Sequence, residues 1–325
     1  MKIKRIRYRV ALFLAIFLIL ISLELFRSEY ILETTHYTIT INNSNSFETS
    51  LRIVQLTDIH DSVFGDDNEK LVGKVKAENP DLIFITGDLV NSHKWKGAGN
   101  ICKLISNLVE IAPVYISLGN QEMTLIQEKN IEIVDDYEKA GATVLDFSYV
   151  DMTIKGNQYR IGGIYGYCRP FAHAIEAHCE NESEFLCDFQ NTDACKLLLC
   201  HLPLCWIDSY SLYDWGVDVV FSGHVHGGQI RMPYLGGLWA PDLGWFPGKL
   251  SGIYSTNDTN YEEFRKKLIE YSHYMKYDTS YYEDVGNEYH PSYLVLSRGL
   301  GNTDWMPRFN NPPEIVTVDL ILEDN

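Results

Sequence analysis

The chain has 325 residues, 46% of them hydrophobic, and a formal charge of -17. That length and apolar share suit one large core, so a single catalytic domain with appendages fits better than two equal domains. Lys2, Lys4, Arg5, Arg7 and Arg9 hold five of the 27 basic residues, which leaves 22 against 44 acidic ones; so acidic a body excludes nucleic acid as the main partner, because phosphate contacts need a Lys/Arg surface.

Behind the basic start, Val10 to Leu23 is apolar except for Ser22, and Glu24 and Leu25-Phe26 follow. A basic flank before an apolar run marks membrane targeting. The run is shorter than the ~20 residues that span a bilayer comfortably, so a cleaved signal peptide stands beside a retained anchor. Leu25-Phe-Arg-Ser-Glu-Tyr30 offers no small-residue cleavage site, which favours the anchor. Residues 1–26 are read as that anchor, and the positive-inside rule puts the rest of the chain outside the cytoplasm. Residues 27–50 read as a linker with an extra strand, from the alternation of Tyr37, Ile39 and Ile41 before the polar stretch Asn42 to Ser46.

Residues 51–325 read as the catalytic domain. Leu51, Ile53, Val54 and Leu56 predict a short buried strand that stops at Asp58 and His60. Asn68 to Ala77 is helix-forming, with Asn79-Pro80 as its stop, and Leu82 to Ile85 then runs into Thr86-Gly-Asp88. A helix near Ile101 to Leu108 precedes Val114 to Ser117, which runs into Gly119-Asn120. Another near Ile131 to Ala140 precedes Thr143 to Phe147, and short alternating strands such as Tyr159 to Tyr165 follow. Leu197 to Leu199 ends at His201, and Val217 to Phe221 ends at Gly223-His-Val-His226. Each polar stop alone reads as a turn; five strand ends that each deliver a metal-capable side chain read as one site. The glycines before Asp88, Asn120 and His224 are expected to supply left-handed or tight backbone. Helices followed by alternating strands predict an α/β fold, a two-sheet β-sandwich flanked by helices.

Three stretches stand apart. Residues 168–195 hold Cys168, Cys179, Cys187 and Cys195 without a C-x-x-C, which disfavours structural zinc and leaves buried thiols beside one or two disulfides. Residues 233–250, rich in Gly, Pro and Trp, read as an aromatic loop that covers the core or forms a lip for an apolar substrate. Residues 255–291 are polar and dense in Tyr and read as an insertion, with an amphipathic helix at Glu262 to Met275 and a loop at Asp278 to Asn287.

The ordered series Asp58-x-His60, Gly87-Asp88, Gly119-Asn120, His201 and Gly223-His-x-His226 resembles the calcineurin-like metallophosphoesterases over residues 51–325. The segments at 56–60, 223–230, 297–301 and 308–315 are similar to its membrane-associated bacterial branch. The resemblance implies the metallophosphoesterase fold and two divalent ions, Mn, Fe or Zn. Asp58, His60 and His226 are implied to hold one ion and Asn120, His201 and His224 the other, with Asp88 bridging; a metal-activated hydroxide then attacks a phosphate ester or a lipid-linked substrate at the cell envelope.

One position departs from the pattern. Where the family reads G-N-H followed by an acid, this chain reads Gly119-Asn-Gln-Glu122. Gln121 can donate a hydrogen bond but cannot transfer a proton near neutral pH, and losing a positioned acid typically costs about 10² to 10⁴ in rate. Substrates with good leaving groups, such as aryl diesters or pyrophosphates, escape that cost; alternatively His93 or His173 stands in, or the chain is a weakened member that binds metal and a phosphate ligand without turnover. Asp88, Asn120 and Gln121 are the candidate catalytic residues. Retention of all seven implied ligands favours the enzyme.

Overall fold

In the computed structural model, residues 2–43, 47–166, 184–207, 212–240, 243–248, 250–256, 292–302 and 306–323 are described. Helix α1 (Lys2–Tyr30) leads into β1 (Glu33–Asn42) and β2 (Thr49–Leu56). Then come α2 (Glu69–Glu78), β3 (Leu82–Thr86), α3 (Gly99–Val109), β4 (Val114–Ser117), α4 (Asn120–Lys129), α5 (Ile133–Lys139), β5 (Thr143–Leu145), β6 (Ser148–Ile154) and β7 (Asn157–Ile164). The second half adds β8 (Cys195–Cys200), β9 (Val219–Ser222), β10 (Arg231–Met232), β11 (Gly236–Ala240), β12 (Gly244–Gly248), β13 (Gly252–Ser255), β14 (Tyr293–Leu296) and β15 (Glu314–Glu323).

Two six-stranded sheets result, ordered β1-β15-β2-β3-β4-β5 and β13-β14-β9-β8-β7-β6, with a small third sheet β10-β11-β12. The predicted sandwich is therefore present. Its layers follow from the two-residue period of a strand. On β2, Leu51 and Ile53 face the second sheet, where they join Phe84, Leu197, Leu199 and Phe221, while Val54 and Leu56 face the helices with Leu71, Val75, Ile101 and Leu104. Phe84 and Phe221 meet across the sandwich edge to face, with ring centroids 5.0 Å apart. Central strands buried on both faces have no polar alternation to show, which is why Leu82–Thr86 is apolar throughout except for its last residue.

The N-terminal helix is longer than its apolar run. A 27-residue stretch, Lys4–Tyr30, is long and apolar enough to cross a membrane, and its most apolar part is not buried in the protein. Its last turn is fastened to the domain. Arg27 pairs with Glu24 and with Glu33 at 2.7 Å, Ser28 is fully buried, and Leu32 enters the core. The expected extra strand is β1, which pairs in parallel with β15 over ten residues.

One expectation meets a different outcome. Residues 233–250 are not a loop: within them the chain makes β11 and β12, paired antiparallel with a bulge at Gly237/Trp239. Glycine-rich strands of two to five residues carry little β signature in their composition, so they look like coil. Cys102, Cys187, Cys195 and Cys200 are thiols; Cys168, Cys179 and His173, like residues 257–291 of the expected insertion, lie outside the described residues.

Candidate metal centre

The five polar strand ends meet where the two sheets' carboxyl edges face each other. Asp58 and His60 follow β2, Asp88 follows β3, Asn120 opens α4 after β4, His201 follows β8, and His224 and His226 follow β9. All seven are brought together. Five of them hold left-handed backbone: Asp58 (φ 49°), His60 (48°), Asp88 (53°), His224 (70°) and His226 (47°). Such conformations are unfavourable for side chains other than Gly, Asn and Asp, and they concentrate at functional sites.

The donor atoms are spaced for shared cations. Asp88 Oδ2 lies 3.6 Å from His60 Nε2 and 3.5 Å from His201 Nε2. Asp58 Oδ1 lies 3.6 Å from His226 Nε2, whose separation from His60 Nε2 is 3.2 Å. Asn120 Oδ1 is 3.2 Å from His201 Nε2 and 3.1 Å from His224 Nδ1. Ligand atoms bound at about 2.1 Å to one ion stand about 3.0 to 3.4 Å apart, so these separations fit divalent metal, with Asp58, His60 and His226 in one group and Asp58, Asp88 and His201 in another.

Charge points the same way. Asp58 and Asp88 are buried, which alone raises both acids, and their neighbours are imidazoles. Asp58 stays raised, whereas His201's charge and hydrogen bond overcome burial at Asp88 and hold it down at about 2. Burial pushes His201 down, but Asp88 outweighs it and lifts the imidazole to about 10. His226 goes the other way, held well below its ordinary value by burial, His60 and Arg308, and so presents a neutral ring with a lone pair. Two buried carboxylates thus sit among imidazoles.

Several of these side chains are braced from behind. His201 Nδ1 donates to the Thr86 carbonyl at 2.7 Å, which orients the ring so that Nε2 faces the cluster. Both Asp58 oxygens accept from the His224 N–H at 3.0 Å, and Asp88 Oδ1 accepts from the Gln121 N–H at 2.8 Å. Just beneath, Gln55 Nε2 donates to the Ser222 carbonyl at 2.9 Å and ties the two sheets together. Gly87 does adopt positive φ (84°), as expected, but Gly119 is extended (φ -112°) and is needed for another reason: a Cβ there would overlap Asp88. A Cβ at Gly223 would likewise overlap Thr57 and Asp58. Two glycines are notches that seat the carboxylates.

Residues without an expected role also emerge. Glu122, fully buried, accepts from the N–H groups of Asp88 (2.8 Å), Leu89 (2.9 Å) and Gly119 (2.8 Å), so one carboxylate fixes the loops that carry Asp88 and Asn120. Burial and the charge of Asp88 push Glu122 up to about 7. Arg308 is buried, donates to the Gly301 and Arg298 carbonyls at 2.7 Å, and brings Nη2 to 3.5 Å from His226 Nδ1. Asn311 donates to the His226 carbonyl at 2.7 Å. The run Arg308-Phe-Asn-Asn311 was visible as a motif, but its partners are main-chain atoms that leave no mark in sequence. Gln121 Oε1 accepts from Ser92 N–H (2.9 Å) and Oγ (2.7 Å), and His93 next to it is exposed.

Comparison with known proteins agrees with this arrangement. Residues 51–228 match the family model described as calcineurin-like phosphoesterase. Phosphodiesterase YaeI of Escherichia coli K12 is 30% identical over 169 residues, 50% of this chain and 55% of the relative. An uncharacterized metallophosphoesterase of Campylobacter jejuni is 28% identical over 55% of this chain and 45% of its own length. The protein YpbG of Bacillus subtilis is 29% identical over 57% and 65%. The chain thus spans about half to two thirds of the length of the curated relatives it matches. With the family model covering more than half of the chain and ending just past His226, the last residue in the series, this protein belongs to the calcineurin-like phosphoesterase family.

Proposed function

We propose that this protein is a membrane-anchored, metal-dependent phosphoesterase that hydrolyses phosphodiester or pyrophosphate bonds at the cell envelope, including those of lipid-linked molecules. The observation that carries the reading is the convergence of seven donor side chains from two sheets, with neighbouring donor atoms 3.1–3.6 Å apart. Asp58, His60 and His226 would hold one divalent ion and Asn120, His201 and His224 a second, with Asp88, within reach of both His60 and His201, between them. Two such ions, when bound, acidify water near neutral pH and neutralise phosphoryl oxygens.

The chain's own residues supply placement. Asp88 is held by Gln121 N–H and, through its loop, by Glu122; His201 and His226 are oriented by Thr86, Arg308 and Asn311. Gln121 presents an amide where an imidazole acid would stand, so bond breaking rests on leaving groups that depart without a proton, which favours aryl diesters and pyrophosphates over alkyl esters. The basic flank of α1 and the absence of a small-residue cleavage site support a retained anchor with the domain outside the cytoplasm.

The test is hydrolysis of an aryl phosphodiester and the matching monoester by the Mn-loaded full chain, beside Asp88→Asn. The diester should be cleaved faster, and Asp88→Asn should remove both metal loading and hydrolysis. Hydrolysis that survives the substitution would overturn the mechanism, and two bound metals with no turnover in the parent would make the protein a binder of phosphate ligands.

A further inference from the structure

We propose that the small sheet β10-β11-β12 is a second membrane contact, its apolar side chains seated in the surface of the same bilayer that α1 crosses; this rests on α1 being a retained anchor.

The first observation is what the sheet shows to the outside. Met232, Tyr234, Leu235, Trp245 and Phe246 are all exposed, Tyr234 fully so and Trp245 at 61%. Two of them also occupy backbone that aromatic residues rarely adopt: Tyr234 has φ 68° and Phe246 has φ 56°, where Gly, Asn or Asp would sit without strain. Tyr234 gains no burial from the fold and Phe246 less than half, yet both occupy strained backbone. Something outside the described fold must reward them.

The second observation says what that is. The last turn of α1 is joined to the sheet by one residue, because Arg27 Nη2 donates to Asn310 Oδ1 (3.4 Å) and Asn310 Nδ2 donates to the Arg231 carbonyl (3.1 Å). Ile230 and Phe309 form a bridge beside this link. The place where α1 leaves the bilayer is therefore also the place where β10 begins. Phe26 and Tyr30, in the same last turns of α1, are exposed at 57% and 59%. Aromatic rings with a polar edge prefer the headgroup level of a bilayer, so a phospholipid surface is the occupant that matches both the chemistry and the position.

The experiment uses the full chain in vesicles of phosphatidylcholine and phosphatidylglycerol whose acyl chains are brominated near the headgroup, so that only tryptophans at the interface are quenched. None of the six tryptophans lies in α1, and quenching therefore reports the domain alone. The protein should float with the vesicles and lose emission, and Trp245→Phe should remove most of that loss. The pair Tyr234→Asp with Phe246→Asp keeps Trp245, suits the left-handed backbone, and should also abolish quenching while flotation and cleavage of a soluble aryl diester persist. Flotation without quenching, or quenching indifferent to both changes, would overturn the contact and leave the anchor standing. Loss of flotation in the parent would instead overturn the anchor, and the contact with it.

Discussion

The two sheets bring different chemistry to one centre. From the first come the oxygen donors Asp58, Asp88 and Asn120 with a single imidazole, His60; from the second come imidazoles alone, His201, His224 and His226. Their bracing differs too. The oxygen side is set by close approach, with carboxylates in glycine notches and loops clamped by Glu122, whereas the nitrogen side is set by long polar side chains, Arg308 and Asn311, reaching main-chain atoms. A misplaced buried charge costs more than a misplaced neutral polar group, and the oxygen half holds both carboxylates. The oxygen half should therefore tolerate less error than the nitrogen half.

Gly119→Ala is the sharpest way to break the oxygen half, because the added methyl overlaps Asp88 while the extended backbone accepts it. Affinity for Mn, measured by calorimetric titration, should fall by about 100-fold, the upper end for disturbing a ligand's support. Unchanged affinity would show that the notch does not set Asp88. On the nitrogen half, Arg308→Met strips donors from the Gly301 and Arg298 carbonyls and leaves His226 without its neighbour. Metal affinity should drop only about 10-fold, while denaturant unfolding should show a loss of about 2–4 kcal/mol from unpaired buried carbonyls. A metal loss larger than that of Gly119→Ala would reverse the ranking of the halves. The smallest effect is expected where neither half is disturbed: Gln121→His should speed cleavage of an alkyl diester about 10-fold and leave an aryl diester nearly unchanged. An equal gain on both substrates would mean that the residue at 121 binds substrate rather than serving the leaving group.

The same contrast explains what could be read in advance. The seven donors were legible because each interrupts an apolar strand at its end, a pattern that survives without any knowledge of packing. The strand pattern also carried the sandwich, since helices alternate with strands up to β5 and alternating strands follow. Glu122 was not legible. An acid three residues into a helix looks solvent-facing until the Asp88 loop is seen to cross over it. Gly119 and Gly223 were recognised as necessary, but their reason lies in a close approach between segments far apart in sequence, which no local backbone rule reports. The small sheet was hidden by its composition, because Gly237, Gly244 and Gly248 belong to strands there and not to turns.

The strand order carries a consequence for how the molecule is made. β1, which emerges directly from α1, has only β15 as a neighbour, and β15 lies between β1 and β2. β1 therefore has no native ladder partner until Glu314–Glu323 has been made. Parallel pairing across so long a separation is slow. A chain interrupted before residue 314 would hold every one of the seven donors and still lack the strand that lies between β1 and β2.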